Sequence, residues 1–348
     1  MRVRPQALFL PLSILVLLTA AVVVPLPVFV ERPGSLVSLS DHVDVAAGDQ
    51  AEGPGEIDGD YLLTVVALRR ASLVFLVHGM LTPDTELVPA TRLTGGVDDA
   101  TFFGRQREVF ASTADIAAAL GLRAAGYPVE LAEPLGALVA GVLPGAPAEG
   151  ALETGDIVTA VGDAPVRSAG ELVAAVRHSA DATLEIVVVR NGEERRVEVA
   201  PGPVPGMDRP GLGVRAEDLL PRAELPVPVH VDSGPIGGPS AGLLIALTVF
   251  DKASPEDLAA GRRIAGTGGV TADGTVTPIG GIGLKVVAAA AEGADVFLAP
   301  AVQVEEASAA LPAGSPLQVV GVATFEEALH VLREGSGRAV LGALALAA

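Results

Sequence analysis

The chain has no cysteine, so disulfides, a cysteine nucleophile and a thiolate metal site are all excluded, and redox chemistry says nothing about compartment. Tryptophan is absent too, and aromatic residues make up only 3% of the 348, so any core is built from Ala, Val, Leu and Ile. Positive charge is scarce: 23 Lys and Arg face 42 Asp and Glu, a formal net charge of −19 at pH 7. A chain of that sign cannot neutralise a row of phosphates, which argues against a nucleic-acid partner. No G-x-x-x-x-G-K-[ST] loop occurs within these residues, so no ATP is expected, nor any other cofactor or metal. What is abundant is apolar residues, half of the total, together with 41 Gly and 27 Pro. The length suits two or three domains.

The longest uncharged stretch lies at the start. Residues 7–30 carry no charge, 24 positions in a row, and a membrane-spanning helix needs about 20. Arg2 and Arg4 precede the run and Glu31 follows it. The positive-inside bias then predicts a single-pass anchor over 7–30 with residues 1–6 in the cytoplasm and all later domains outside the cell membrane. A cleaved signal peptide fits less well, because its apolar core is about 7–15 residues and no A-x-A site follows. Pro11, Pro25 and Pro27 interrupt the run, so its outer boundary is expected to be irregular.

Residues 31–127 carry no motif of their own and are expected to form a membrane-proximal α/β region. Within it, 61–68 and 72–80 are apolar runs of strand or short-helix length, and His78 reads as structural. Phe102, Phe103, Val109, Phe110, Ile116, Ala119 and Leu120 recur at helical spacing, which predicts a helix over 98–122.

From 128 to 201 the order is strand, strand, capped helix, hairpin. Ser168 with Glu171 forms a capping box, and Asn191-Gly192 between 184–189 and 195–199 is a strong hairpin signal. The stretch VLPGAPAEGALETGDIVTAVGDAPVRSAGELVAAV resembles the PDZ domains of bacterial proteases. That resemblance implies binding of an extended peptide, often a C-terminus, by strand addition, with the groove expected between residues 135–140 and the helix 168–176. Pro134-Leu135-Gly136-Ala137 matches the family's carboxylate loop only loosely. Residues 202–210 are proline-rich and read as a stiff linker.

The last domain is expected over 211–335, with an apolar tail from 336 to 348. Its most telling stretch is VDSGPIGGPSAGLLIAL, residues 231–247, where a glycine-rich turn leads into an apolar helix and puts Ser240 at or beside the helix N-terminus. A helix cap fits that local sequence, and so does a nucleophile whose oxyanion would meet unpaired N–H groups. A serine nucleophile needs a base. His42, His78, His178 and His330 lie on other elements, and only His230 is near Ser240 in sequence. Lys285 stands beside Gly280, Gly281 and Gly283 and before an alanine run, and desolvation there would lower its pKa toward a working base. A lysine snorkelling to solvent at a helix start fits the same residues.

GGPSAG, followed by TGGVTADGTVTPIGGIGLKVVAAAAEGADVFLAP from Thr267 on, resembles the proteolytic domain of the Lon peptidase family. The whole chain resembles the membrane-anchored PDZ–Lon proteins of bacteria. The fold class implied is a multidomain α/β and α+β protein: an N-terminal transmembrane helix, a β-rich PDZ domain and a Lon-type α/β proteolytic domain. The resemblance makes Ser240 the nucleophile and Lys285 its base, with Thr267 holding the lysine amine. It places the oxyanion between the Ser240 N–H and one from Gly237 or Gly238. The paired histidines of ATP-driven members are missing before the serine, which leaves His230 and Asp232 outside the dyad. The implied function is ATP-independent cleavage of unfolded or exposed polypeptides outside the membrane, and a homo-oligomer is compatible with it. The alternative is a non-catalytic, membrane-tethered PDZ adaptor.

Overall fold

The structure is a computed structural model, and it describes residues 6–46, 57–94, 97–129, 135–178, 183–190, 192–204, 210–219, 225–232, 234 and 236–346. The expected cytoplasmic terminus apart from Gln6, most of the linker, and Pro134 and Asn191 lie outside these residues.

The chain opens with helix α1 (Gln6–Val23), followed by β1 (Val28–Ser38), β2 (Val43–Val45) and β3 (Gly59–Arg70). The short helix α2 (Leu73–Leu81), β4 (Glu86–Pro89) and α3 (Ala90–Thr94) lead into the long helix α4 (Asp99–Ala124), which is capped by the Asp98 carboxylate accepting from the Thr101 N–H. The expected anchor over 7–30 is thereby corrected. Pro25 and Pro27 end the helix early, and Phe29 and Val30 are core residues of β1, buried between β3 and β4. Among the described residues no helix is long and apolar enough to cross a membrane.

A β-rich domain follows, made of β5 (Gly136–Val142), β6 (Ile157–Val161), β7 (Ala164–Pro165), α5 (Ala169–His178), β8 (Leu184–Arg190), β9 (Glu193–Val199) and β10 (Val214–Leu219). The order across its sheet is β10-β5-β6-β8-β9, with β7 on β6. Ala137, Val139, Val158, Ile186, Val188 and Leu172 of α5 form its core. Asp156 of the Gly-Asp turn is buried and receives two hydrogen bonds from the Arg190 guanidinium, at 2.6 and 2.7 Å, so its role is structural.

The remaining elements are β11 (Val229–Val231), a 3-10 turn (Pro239–Ala241) running into α6 (Gly242–Ala253), then β12 (Arg262–Gly266), β13 (Gly269–Val270) and β14 (Val276–Thr277). After these come α7 (Ile282–Ala291), β15 (Val296–Pro300), α8 (Val304–Ala309), β16 (Gln318–Val322) and α9 (Phe325–Leu346). The expected tail is therefore helical through Leu346, as its run of Ala and Leu favours.

Two expected boundaries move. The central sheet has the order β16-β15-β12-β3-β1-β4, so strands from residues 28–89 join strands from 262–322 in one sheet. The region 31–127 supplies three of that sheet's six strands. Residues 211–219, expected to open the last domain, instead supply β10, which pairs with β5. The PDZ-like domain is thus an insertion between α4 and β11.

Side-chain alternation explains how the central sheet is covered on both faces. Tyr61, Leu63, Ile264 and Leu298 face α4 and α6, whereas Leu62, Ala265, Phe297 and Ala299 face α7 and α8. Helix α6 is largely apolar because nearly all of it is buried, clamped between the sheet and α4, with Thr248 and Asp251 its buried polar residues and Lys252 partly exposed. The clamp needs a glycine: a Cβ on Gly121 would lie 2.5 Å from the Ala246 carbonyl oxygen and 2.8 Å from the Val249 Cβ. Gly121→Ala is expected to cost about 1–3 kcal/mol through overpacking, read as a lower denaturation midpoint at unchanged slope.

Candidate active site

The nucleophile turn is shaped by what cannot fit there. Gly238 adopts φ +89° and caps the 3-10 turn that carries Ser240. A Cβ on Gly242 would approach Val270 Cγ2 to 2.8 Å and Thr113 Cγ2 to 2.9 Å, so the first residue of α6 must be small. Ser240 sits inside the turn and its hydroxyl makes no capping bond, so the cap expected at this position is not its role. Its N–H belongs to the first turn, where backbone donors have no intrahelical acceptor.

Lys285 comes from the other side of the sheet. Gly281, in the left-handed region at φ +68°, caps α7 and starts the helix against the sheet face built from Leu62, Ala265 and Phe297. One turn later Lys285 is buried, 3% exposed, with Val286 and Ile282 packed into that face. The Lys285 Nζ lies 2.8 Å from Ser240 Oγ and 2.8 Å from Thr267 Oγ1. Burial lowers the lysine pKa from its ordinary 10.5 to about 7, because a desolvated ammonium loses its hydration. A share of the amines at neutral pH therefore carries a lone pair, beside a hydroxyl that can give up its proton.

Thr267 ties the two halves together. Its hydroxyl donates to the Ser240 carbonyl at 3.1 Å, while the Gly268 N–H donates to the same oxygen at 2.9 Å and the Leu243 N–H returns to Gly268 O at 3.0 Å. Sequence reasoning missed two supports. The buried Thr64 of β3 donates to the Gly266 carbonyl at 2.8 Å and so holds the strand end that presents Thr267. The Gln106 carbonyl of α4 accepts the Gly238 N–H at 2.8 Å, and a Cβ on Gly237 would meet Gln106 Cβ at 2.8 Å. Neither carries a sequence signal, since Thr64 is 202 residues from its partner.

That second contact corrects an expectation: the Gly238 N–H is committed to Gln106 and does not face an oxyanion, which leaves Gly237 and Ser240 of the expected donors. His230 is exposed on β11 opposite Asp44, and the exposed Asp232 accepts from the Gly234 N–H at 3.0 Å. Neither joins the Ser240 and Lys285 pair. His78, His178 and His330 lie on α2, α5 and α9.

Comparison with known proteins agrees with these two units. The family profile of the Lon protease (S16) C-terminal proteolytic domain matches residues 218–332, and that of the PDZ domain matches 116–200. The chain therefore carries a Lon-type proteolytic domain and a PDZ domain. A Lon protease of Campylobacter concisus (strain 13826) is 27% identical over 170 residues, covering 48% of this chain and 21% of that protein. The chain thus matches about a fifth of the length of this curated relative. Among solved structures, the PDZ domain of the SdrC-like protein from Listeria monocytogenes is 19% identical, covering 24% of this chain and 87% of that one, with a TM-score of 0.22. Its counterpart from Listeria innocua is 21% identical, covering 23% and 92%, with a TM-score of 0.22.

The buried amine sets a pH signature. In the native protein Lys285 titrates below its unfolded value, so between about pH 7 and 10.5 the unfolded chain binds the extra proton and stability rises with pH. Below about pH 7 the native state holds a desolvated ammonium. Lys285→Met, similar in length and apolar, is expected to melt above the wild type at pH 6, with the gap closing toward pH 10 in thermal scans.

Proposed function

We propose that this chain is a serine endopeptidase with a Ser240/Lys285 dyad, cleaving unfolded or exposed polypeptide without ATP. The observation that carries the proposal is the Lys285 amine held 2.8 Å from the Ser240 hydroxyl in a buried site. Neutral Lys285 accepts the Ser240 proton as Oγ attacks the scissile carbonyl, and one of its N–H groups donates to Thr267 Oγ1, fixing the direction of the lone pair. The tetrahedral oxyanion forms beside the Ser240 N–H at the turn's positive end. Lys285 then hands its proton to the leaving amine, and an acyl-serine remains. Water, deprotonated by the same amine, releases the acid and restores the hydroxyl.

The adaptor alternative accounts poorly for this geometry. A packing platform gains nothing from a buried lysine whose amine meets the hydroxyls of Ser240 and Thr267, because desolvating that group costs more than such bonds return. The absence of a nucleotide-binding loop within these residues supports action on substrates that need no powered unfolding.

The PDZ domain implies peptide binding, and the sheet topology relocates its groove. Strand β5 is paired on both sides, by β10 and β6, so it has no free edge for an added strand. The sheet ends in two edge strands, β10 and β9, and of these β10 is the one that runs beside α5. We assign the peptide groove there. Attachment to a membrane with the catalytic body outside the cytoplasm is part of the same proposal. Its support is helix α1, uncharged from Gln6 to Val23, with Arg2 and Arg4 before it.

In detergent micelles the full chain is expected to cleave casein, and Ser240→Ala and Lys285→Ala each to abolish cleavage. Retained activity in either variant overturns the dyad. Thr267→Val, which removes one hydrogen bond on the amine, is expected to slow cleavage by roughly tenfold. The rate should climb as pH rises through about 7, as Lys285 loses its proton, and level off above.

A further inference from the structure

Helix α2 is inside out by the rule for soluble proteins. Its sequence, LVFLVHGML, has no charge other than what His78 can take up. Its inner side is fixed by Gly79, where a Cβ would lie 3.3 Å from Leu87 Cδ2 and 3.5 Å from Val30 Cγ1, so the helix lies flat on the β1–β4 edge. The opposite side is a stripe of Leu73, Val77, Met80 and Leu81 at helical spacing. Met80 is 70% exposed and Leu81 80%.

The same corner of the sheet carries α1. The Leu26 N–H donates to Ala71 O at 2.7 Å and the Ala71 N–H to Val28 O at 2.8 Å, so the exit of α1 and the entry of α2 are hydrogen-bonded together. The two helices touch, and the described end of α1 is as bare as α2, with Leu17 69% exposed. Most of the large apolar side chains left in the open by this fold gather on these two neighbouring helices. Arg69 borders the patch, its guanidinium 3.8 Å from the centre of the Phe75 ring, and Arg70 stands behind it, paired with Asp99 at 2.8 Å. An apolar face rimmed by arginine and continuous with an uncharged helix matches an interfacial membrane helix.

We propose that α2 lies in the headgroup–acyl boundary of the bilayer that holds α1, with Leu73, Val77, Met80 and Leu81 immersed and Arg69 at headgroup level. The proposal rests on the membrane attachment proposed above and adds to it a second contact. A single helix leaves the body free to swing, whereas two contacts at one corner fix the tilt of the central sheet, and with it the height of Ser240 above the lipid.

Because the chain has no tryptophan, single-tryptophan variants report position without background. The full chain would be reconstituted into phosphatidylethanolamine–phosphatidylglycerol vesicles, with and without bromine on the acyl chains, as Met80→Trp, as Leu17→Trp and as Val302→Trp. Val302 is 80% exposed in the turn before α8 and serves as the aqueous control. All three positions are exposed, and casein cleavage reports that each variant folds. The expected result is a blue-shifted Met80→Trp emission quenched most strongly by bromine near the headgroups, with Val302→Trp unquenched. Quenching of Leu17→Trp while Met80→Trp behaves like Val302→Trp overturns the role of α2 and leaves the anchor standing. Quenching of neither overturns both. A blue shift of Met80→Trp that ignores brominated lipid and grows with protein concentration assigns the face to a second copy of the chain and overturns the proposal.

Discussion

The arrangement depends on keeping one amine dry. Lys285 can serve as a base near neutral pH only while water is excluded from it, since burial alone lowers its pKa to about 7. Everything that packs around it, α7 on the sheet, the Thr267 strand end and the Ser240 turn, is needed to hold that exclusion. The cost is a native state that carries an unfavourable ammonium below neutrality, which is the usual trade between stability and an active site.

The sheet that supports this site is assembled from both ends of the catalytic body. Strand β3 brings Thr64 and Tyr61, β12 brings Gly266 with Thr267 just beyond its end, and the two strands pair in parallel across some 200 residues of intervening chain. Tyr61 adds a second tie, its buried hydroxyl donating to Asp251 at 2.8 Å on α6, and Asp251 also accepts from the Leu258 and Ala259 N–H groups. Burial holds the Asp251 carboxyl above its ordinary range despite those donors. Helix α4 closes the other side and reaches the glycines before Ser240 through Gln106. The PDZ domain interrupts this body between α4 and β11. Arg215 of β10 donates to the Leu93 carbonyl of α3 at 3.3 Å, a direct contact between the two units.

Much of the secondary structure was legible because local rules dominate there. The helix over 98–122 follows from periodic apolar residues and an Asp cap. The 184–199 hairpin follows from its Gly-containing turn, and α5 follows from its capping box, where the Ser168 hydroxyl accepts the Glu171 N–H at 3.1 Å. Boundaries failed where partners decide. Val28 to Val30 look like more of the uncharged run, yet they become strand because β3 and β4 flank them. Val214 to Leu219 look like the start of a new domain, yet β5 claims them as an edge. A period-2 pattern states that a strand has two faces and never says which strand lies beside it.

By itself the sequence determined the kinds of group available: a serine in a glycine-rich turn, a lysine in apolar company, a threonine between them, and no cysteine. Those are local facts of residue type and spacing, so they can be read without a fold. Only the tertiary structure decided that Ser240 is not a cap, that Lys285 turns inward to meet it, and that Gly238 gives its N–H to Gln106. Each of these depends on which of two faces a side chain or amide turns toward. That choice is made by packing between segments far apart in the chain, where burial free energy outweighs any local preference.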